Sequence, residues 1–342
     1  MKRWGESLLV VALVASLAVP AMAAVTLTPV VKTRADEWGI TVGSGGMAWN
    51  RYNRSDSWIL ADTGGGRFRV NSTRTWAWTG SIEGDVLIYQ KATSRRSNIA
   101  AFDLTTKSSV QPPQHVNSRW WEYYPKASGE WVLFGRTNVG YGAKREWRKL
   151  ILTNTVTGKS RTLLRGGPQA HFDPGQVSGD WVVWDECPGG VCNVYRYQIS
   201  TATKEKIPQE ASDQFSPAIA ADGTMYFVRT SGNRCGRNAS IVRRTLDGTE
   251  TILYSFPRGV EASYMFLHDG VAQDLYLGDV DCSNDYESDI YMIAGADTAG
   301  PVLTPLLEPT DSMVAVLATR PSGGFDHPSS TGPVADRRPE RI

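Results

Sequence analysis

One phrase recurs six times along this chain: a turn carrying a glycine, then a strand of large apolar residues. It reads Gly46-Met47-Ala48-Trp49, Gly84-Asp85-Val86-Leu87-Ile88-Tyr89, Gly129-Glu130-Trp131-Val132-Leu133-Phe134 and Gly179-Asp180-Trp181-Val182-Val183-Trp184. Gly223-Thr224-Met225-Tyr226-Phe227-Val228 follows, and then a weaker copy, Gly270-Val271 with Leu275-Tyr276-Leu277. The glycines are 38, 45, 50, 44 and 47 residues apart. A second phrase follows each, a small polar residue leading into another strand, as in Ser57-Trp58-Ile59-Leu60, Asn98-Ile99-Ala100-Ala101-Phe102 and Asn193-Val194-Tyr195-Arg196-Tyr197. A third is a turn and a short polar strand, as in Asn154-Thr155-Val156-Thr157-Gly158 before Arg161-Thr162-Leu163-Leu164. With the strand before each glycine, every unit holds four short strands.

Four strands per unit at this period are the signature of a β-propeller blade. One twisted sheet with two apolar faces cannot bury both alone, but sheets set radially in a ring bury both against their neighbours. This accounts for Trp181 and Val183 alternating with Val182 and Trp184 while both sets are apolar. The reading is all-β, a six-bladed propeller of four-stranded antiparallel blades, with blades at 38–73, 75–113, 119–166, 170–209, 213–256 and 261–307. Two β-prone segments, Val25 to Thr33 and Met313 to Thr319, are left over. One is expected to close the ring by pairing across the chain ends; the alternative is a seventh, partial blade. Twelve Trp, thirteen Tyr and 33 Gly agree with a strand-rich chain.

The first 23 residues read as a secretory signal peptide. Lys2 and Arg3 precede an apolar run from Leu8 to Val19, too short to span a bilayer with ease, and Ala21-Met22-Ala23 fits a cleavage site. A single propeller domain is expected over 24–320, followed by a disordered Pro-, Gly- and Arg-rich tail at 321–342. Cleavage near Ala23 implies a secreted or periplasmic protein, and no second stretch reaches membrane length. Thirty-six basic against 35 acidic residues leaves a net charge of +1, which argues against nucleic acid as a partner held by broad charge. The four cysteines of an exported chain read as two disulfides, Cys187–Cys192 across the turn Pro188-Gly189-Gly190-Val191, and Cys235–Cys282 between matching hairpin tips of consecutive blades.

The order of turn-glycine strand, Asn/Ser/Asp-Ile/Val-Tyr strand, and Thr-Gly turn with a short strand resembles TolB-type six-bladed propellers. Asn193 through Ile207 is the best copy, and the resemblance covers residues 38–307 at the level of the repeat. The first repeat begins about fifteen residues after Ala23, so no TolB-like amino-terminal domain is expected and TolB's partner interactions do not carry over. The resemblance implies a fold that serves as a binding platform, an enzyme scaffold or part of a larger enzyme.

No Gly-x-Ser-x-Gly elbow, His-Glu-x-x-His helix or phosphate loop is present. Lyases with related propellers use His with a divalent metal, which would require His115, His171 and His268 to meet in the channel; a structural role for each is expected instead. The acidic run with Asp279, Asp281 and Asp285 has the front of a calcium loop but carries Ile290 where the closing Glu belongs. No cofactor is expected, with calcium at this run the alternative.

Inner strands line a propeller's channel. Their starts read Glu37-Trp38, Thr75-Trp76, Trp120-Trp121, His171-Phe172, Gln214-Phe215 and Glu261-Ala262. The expected ligand-binding ring at the channel mouth is therefore Glu37, Thr75, Arg119, Trp120, His171, Gln214 and Glu261. Trp38, Trp76, Trp121, Phe172 and Phe215 are expected to wedge between blades. Glu37 and Glu261, from abutting blades, form the only carboxylate pair suited to acid–base work. The leading expectation is a monomeric, non-enzymatic platform for a protein, peptide or glycan. The alternatives are a carbohydrate-active lyase or hydrolase in the central cleft, and an envelope-associated assembly factor.

Overall fold

A computed structural model of the chain describes residues 25–33, 35–53, 56–72, 75–139, 145–208, 212–231, 238–270, 273–281 and 288–298. They form six four-stranded antiparallel sheets. Blade one holds β2 (Asp36–Gly43), β3 (Gly46–Asn53), β4 (Asp56–Asp62) and β5 (Arg67–Arg69). Blade two holds β6 (Trp76–Glu83), β7 (Val86–Ala92), β8 (Ser97–Asp103) and β9 (Ser108–Val110). Blade three holds β10 (Trp121–Ser128), β11 (Trp131–Thr137), β12 (Arg148–Asn154) and β13 (Ser160–Gly166). Blade four holds β14 (Phe172–Ser178), β15 (Trp181–Glu186), β16 (Asn193–Gln198) and β17 (Thr203–Lys206). Blade five holds β18 (Asp213–Ile219), β19 (Met225–Thr230), β20 (Ala239–Arg244) and β21 (Glu250–Ser255). Blade six holds β22 (Val260–Asp269), β23 (Gln273–Asp281) and β24 (Ser288–Ile293), and its outermost strand is β1 (Thr28–Val31).

β1 pairs antiparallel with β24, Thr28 opposite Met292 and Val31 opposite Ile290. The ring is thus closed by Val25–Thr33, one of the two segments left over by the repeat. The expected signal peptide, the Met313–Thr319 strand, the tail, Cys235 and Cys282 lie outside the described residues. Among the described residues, no helix is long and apolar enough to cross a membrane.

The apolar run of each middle strand is divided between two interfaces. Leu87 and Tyr89 pack toward blade one, while Ile88 packs toward blade three. Val182 and Trp184 pack toward blade three, while Val183 packs toward blade five. Each of the six clusters of buried apolar side chains lies mainly between two adjoining blades. The repeated glycine earns its place in the tight hairpins: Glu83 pairs with Val86 and Ser178 with Trp181, leaving two-residue loops whose first residues, Gly84 and Gly179, have φ of 57° and 53°.

In blades one, two and six a serine at the start of the third strand joins one blade to the next. Ser57 Oγ donates to the Ala77 carbonyl (2.7 Å), and Ser97 Oγ to the Glu122 carbonyl (2.6 Å). Ser288 Oγ donates to the Glu37 carbonyl (2.7 Å), the same link made across the seam where blade six meets blade one.

Candidate functional site

All six inner strands enter from the same end of the channel, and all six lose register with the middle strand a few residues in. The shifts fall between Trp38 and Thr41, Thr79 and Ser81, Tyr123 and Lys126, Pro174 and Gln176, Phe215 and Ala218, and Ser263 and Met265. Each is a β-bulge, which turns the local backbone and re-aims a side chain. Gly39, Tyr124, Ser216 and Tyr264 sit at these bulges with φ of 62°, 48°, 51° and 52°. For a tyrosine such a conformation is costly, roughly 1–3 kcal/mol, and persists only where its surroundings enforce it.

Side chains of the preceding blade enforce it here. Asn50 Oδ1 accepts from the Thr79 N–H (2.8 Å), Gln90 Oε1 from the Tyr124 N–H (3.2 Å) and Asp185 Oδ2 from the Ser216 N–H (2.8 Å). Ser216 Oγ then accepts from the Tyr264 N–H (3.3 Å).

The bulges surround a cavity of about 110 Å³ in the channel, to which every blade contributes. Its walls are the aromatic residues Trp38, Trp78, Tyr124, Phe215 and Tyr264, and its charged groups are Lys126, Asp173 and Asp185. The rings of Trp38 and Tyr264 meet at 5.1 Å across the seam of blades one and six. Burial drives the Tyr124 phenol well above its ordinary range, with the Tyr264 and Asp173 charges adding to it, so it is a neutral hydroxyl. Burial pulls the Lys126 ammonium down to about 8, against an opposing pull from Asp173.

Of the expected ring at the strand starts, Glu37 and Gln214 are buried away from the cavity. Glu37 is fully buried, and its Oε1 accepts from Arg51 Nη2 (2.6 Å), Arg51 Nε (2.8 Å) and Thr33 Oγ1 (2.9 Å). Gln214 is also fully buried, donating to the Pro208 carbonyl (2.8 Å). Neither lines the cavity. Glu261 pairs with Val280 in β22, and its side chain is outside the described residues. Thr75 stays at the mouth with its hydroxyl against the Ser72 carbonyl (3.3 Å). His171 is half-buried at the mouth, and burial and then the Arg148 charge lower its imidazole below the ordinary histidine range.

Arg119 and Trp120 form a rim at this same end. The Arg119 guanidinium lies 4.4 Å over the Trp120 ring, Trp120 meets Trp147 edge-on at 5.9 Å, and the Lys149 ammonium lies 4.5 Å over Trp147. Of the expected wedges, Phe172 is buried against Tyr123, but Trp38 and Phe215 line the cavity and Trp76 is 38% exposed.

His115 sits on an exposed turn beside Gly158, and His268 lies toward the opposite end of β22 from His171, so the three do not meet. Asp279 accepts from the Asp289 N–H (3.2 Å) within its own hairpin; the Asp281 side chain and Asp285 are outside the described residues. Among the described residues, no three of His, Cys, Asp and Glu are grouped so as to hold a metal ion. The sequence reading passed over Tyr124, Lys126, Asp173, Asp185 and Tyr264. A signal for most of them was present: Gly39, Gly80, Pro125, Pro174-Gly175 and Pro217 interrupt the inner strands, and Gly or Pro inside a strand marks a bulge.

The architecture is shared with solved structures. No family model matches the chain, nor does any curated protein. An oligogalacturonate lyase in complex with manganese is similar in structure, with a TM-score of 0.52 and 10% identity over 81% of this chain and 83% of that one. TolB from Acinetobacter baumannii gives 0.45 at 14% identity, over 76% of this chain and 63% of that one. A putative TolB from Agrobacterium tumefaciens gives 0.49 at 13%, over 77% and 91%. At the level of fold, this chain is a six-bladed β-propeller of four-stranded antiparallel blades. The manganese of the lyase has no counterpart donor set among the described residues here.

Proposed function

We propose that the protein is an exported, monomeric binding module that takes a glycan at the mouth of its channel. The cavity carries this reading: six blades converge on aromatic walls and hydroxyls, a surface suited to the faces and edges of a sugar. Its size sets the mode. Pockets that swallow whole ligands run to roughly 300–1,000 Å³, so about 110 Å³ admits one terminal group. The rest of the chain would lie along the Arg119–Trp120–Trp147–Lys149 rim. The Cys187–Cys192 bridge supports export, since such bonds persist in oxidising compartments. The reading needs no cofactor. A hydrolase or lyase working from Glu37 is disfavoured, because that carboxylate is buried and held by Arg51.

A glycan array followed by calorimetry tests it. Trp38→Ala and Trp120→Ala are each expected to weaken binding by about 1 kcal/mol or more, roughly fivefold. Failure of every glycan to bind, or capture of a peptide insensitive to both substitutions, would overturn the reading.

A further inference from the structure

We propose that the channel is also a carbonyl-capture site, in which the Lys126 amine condenses reversibly with an aldehyde or ketone group entering from the mouth. Lys126 is the first residue after the bulge of its inner strand. In the other blades that place is taken by Thr41, Ser81, Gln176, Ala218 and Met265, all of them buried. The polar ones bond to other inner strands: Thr41 Oγ1 accepts from the Ile82 N–H (3.2 Å), Ser81 Oγ from the Ala127 N–H (2.9 Å) and Gln176 Oε1 from the Leu267 N–H of blade six (3.1 Å). Lys126 is instead half-buried and lines the cavity. Its ammonium donates a long hydrogen bond to the Gly80 carbonyl, at 3.4 Å. It is the only ammonium or guanidinium among the described lining residues.

Two features suit this amine to carbonyl chemistry. Tyr124-Pro125 immediately before it is a strained bulge, and strain of this kind gathers at working sites. Its ordinary value of 10.5 is lowered to about 8, so the neutral amine at pH 7 is roughly 300-fold more abundant than for an exposed lysine. The step balances without redox. The neutral amine adds to the carbonyl carbon and its proton passes to the oxygen, giving a carbinolamine; loss of water then leaves the C=N bond. The Asp173 carboxylate, whose charge acts on Lys126, favours the protonated imine.

The test uses propanal, small enough for the cavity, with cyanoborohydride to reduce any imine to a stable secondary amine. After brief treatment at pH 7.5, peptide mapping of the wild-type protein is expected to find at least roughly tenfold more label at Lys126 than at exposed Lys107 or Lys159. Lys126→Arg keeps the charge and should remove that early adduct from the intact mass. Label at Lys126 no greater than at Lys107 and Lys159 overturns the proposal, and this wild-type comparison decides even if the variant does not fold. Glycan binding is measured separately, so either reading can fail without the other.

Discussion

Replacing Arg136 by Met should destabilise the propeller in a pH-dependent way. Arg136 Nε donates to Glu122 Oε1 (2.8 Å) and Nη2 to the Val116 carbonyl (2.8 Å), while Ser118 Oγ also donates to Glu122 Oε1 (2.6 Å). Glu122 is fully buried, and its Oε2 has no hydrogen bond among the described residues. Burial lifts this carboxyl above the ordinary 4.5, while Ser118 and Arg136 hold it down. Breaking such a pair from one side leaves an uncompensated buried charge and costs about 3–5 kcal/mol. At about 2–4 °C per kcal/mol for large domains, the melting point should fall by roughly 6–20 °C at neutral pH. The sign with pH follows from the raised carboxyl. Its contribution to stability is fully present below 4.5 and lost as pH rises through the folded value. Removing Arg136 raises that value further, so the gap to wild type should be widest near pH 7.5 and narrow toward pH 5. Glu122→Gln combined with Arg136→Met should recover most of the loss. Urea denaturation at both pH values measures it. An unchanged gap at pH 5, or a loss under about 1 kcal/mol at pH 7.5, would refute the reasoning.

Ser288→Ala removes the hydroxyl at the ring seam and should cost about 1 kcal/mol by urea denaturation, whereas Ser109→Ala on the exposed outer strand should stay within about 0.5 kcal/mol. Cys187→Ser with Cys192→Ser opens a bridge between residues 5 apart and should lower stability by roughly 2 kcal/mol in the chain-entropy model. Mass mapping of the non-reduced protein should yield a Cys235–Cys282 peptide; free thiols at both positions would show that the hairpin tips of blades five and six are not aligned as the repeat implies.

The blades were legible because their physics repeats. Val132-Leu133-Phe134 and Val182-Val183-Trp184 must be buried on both faces, and only neighbouring sheets on each side provide that. The glycine turns supplied the period, whereas the serines that link blades at the third strands, Ser57, Ser97 and Ser288, show as links only in the folded ring. Which end segment closes the ring was not legible, since Val25–Thr33 and Met313–Thr319 have the same strand character.

The site was legible only in outline, because the alternation that reveals a strand assigns a side chain to a face without counting a bulge. Read as a regular strand, Glu37-Trp38 turns its carboxylate toward the lumen. In the folded chain Glu37 faces Arg51, and it is Trp38 that lines the cavity. One or two residues further on, the bulge changes register again, and Tyr124, Ser216 and Tyr264 adopt a backbone that a strand pattern never predicts. Those conformations depend on acceptors from elsewhere in the ring, such as Gln90 for Tyr124 and Asp185 for Ser216. The cavity is therefore a property of the closed ring, and no single blade contains it. It follows that the acceptors belong to the site as much as the residues they hold. Gln90 is buried, yet losing it would free the Tyr124 bulge and move the ring and the Lys126 amine two residues beyond it.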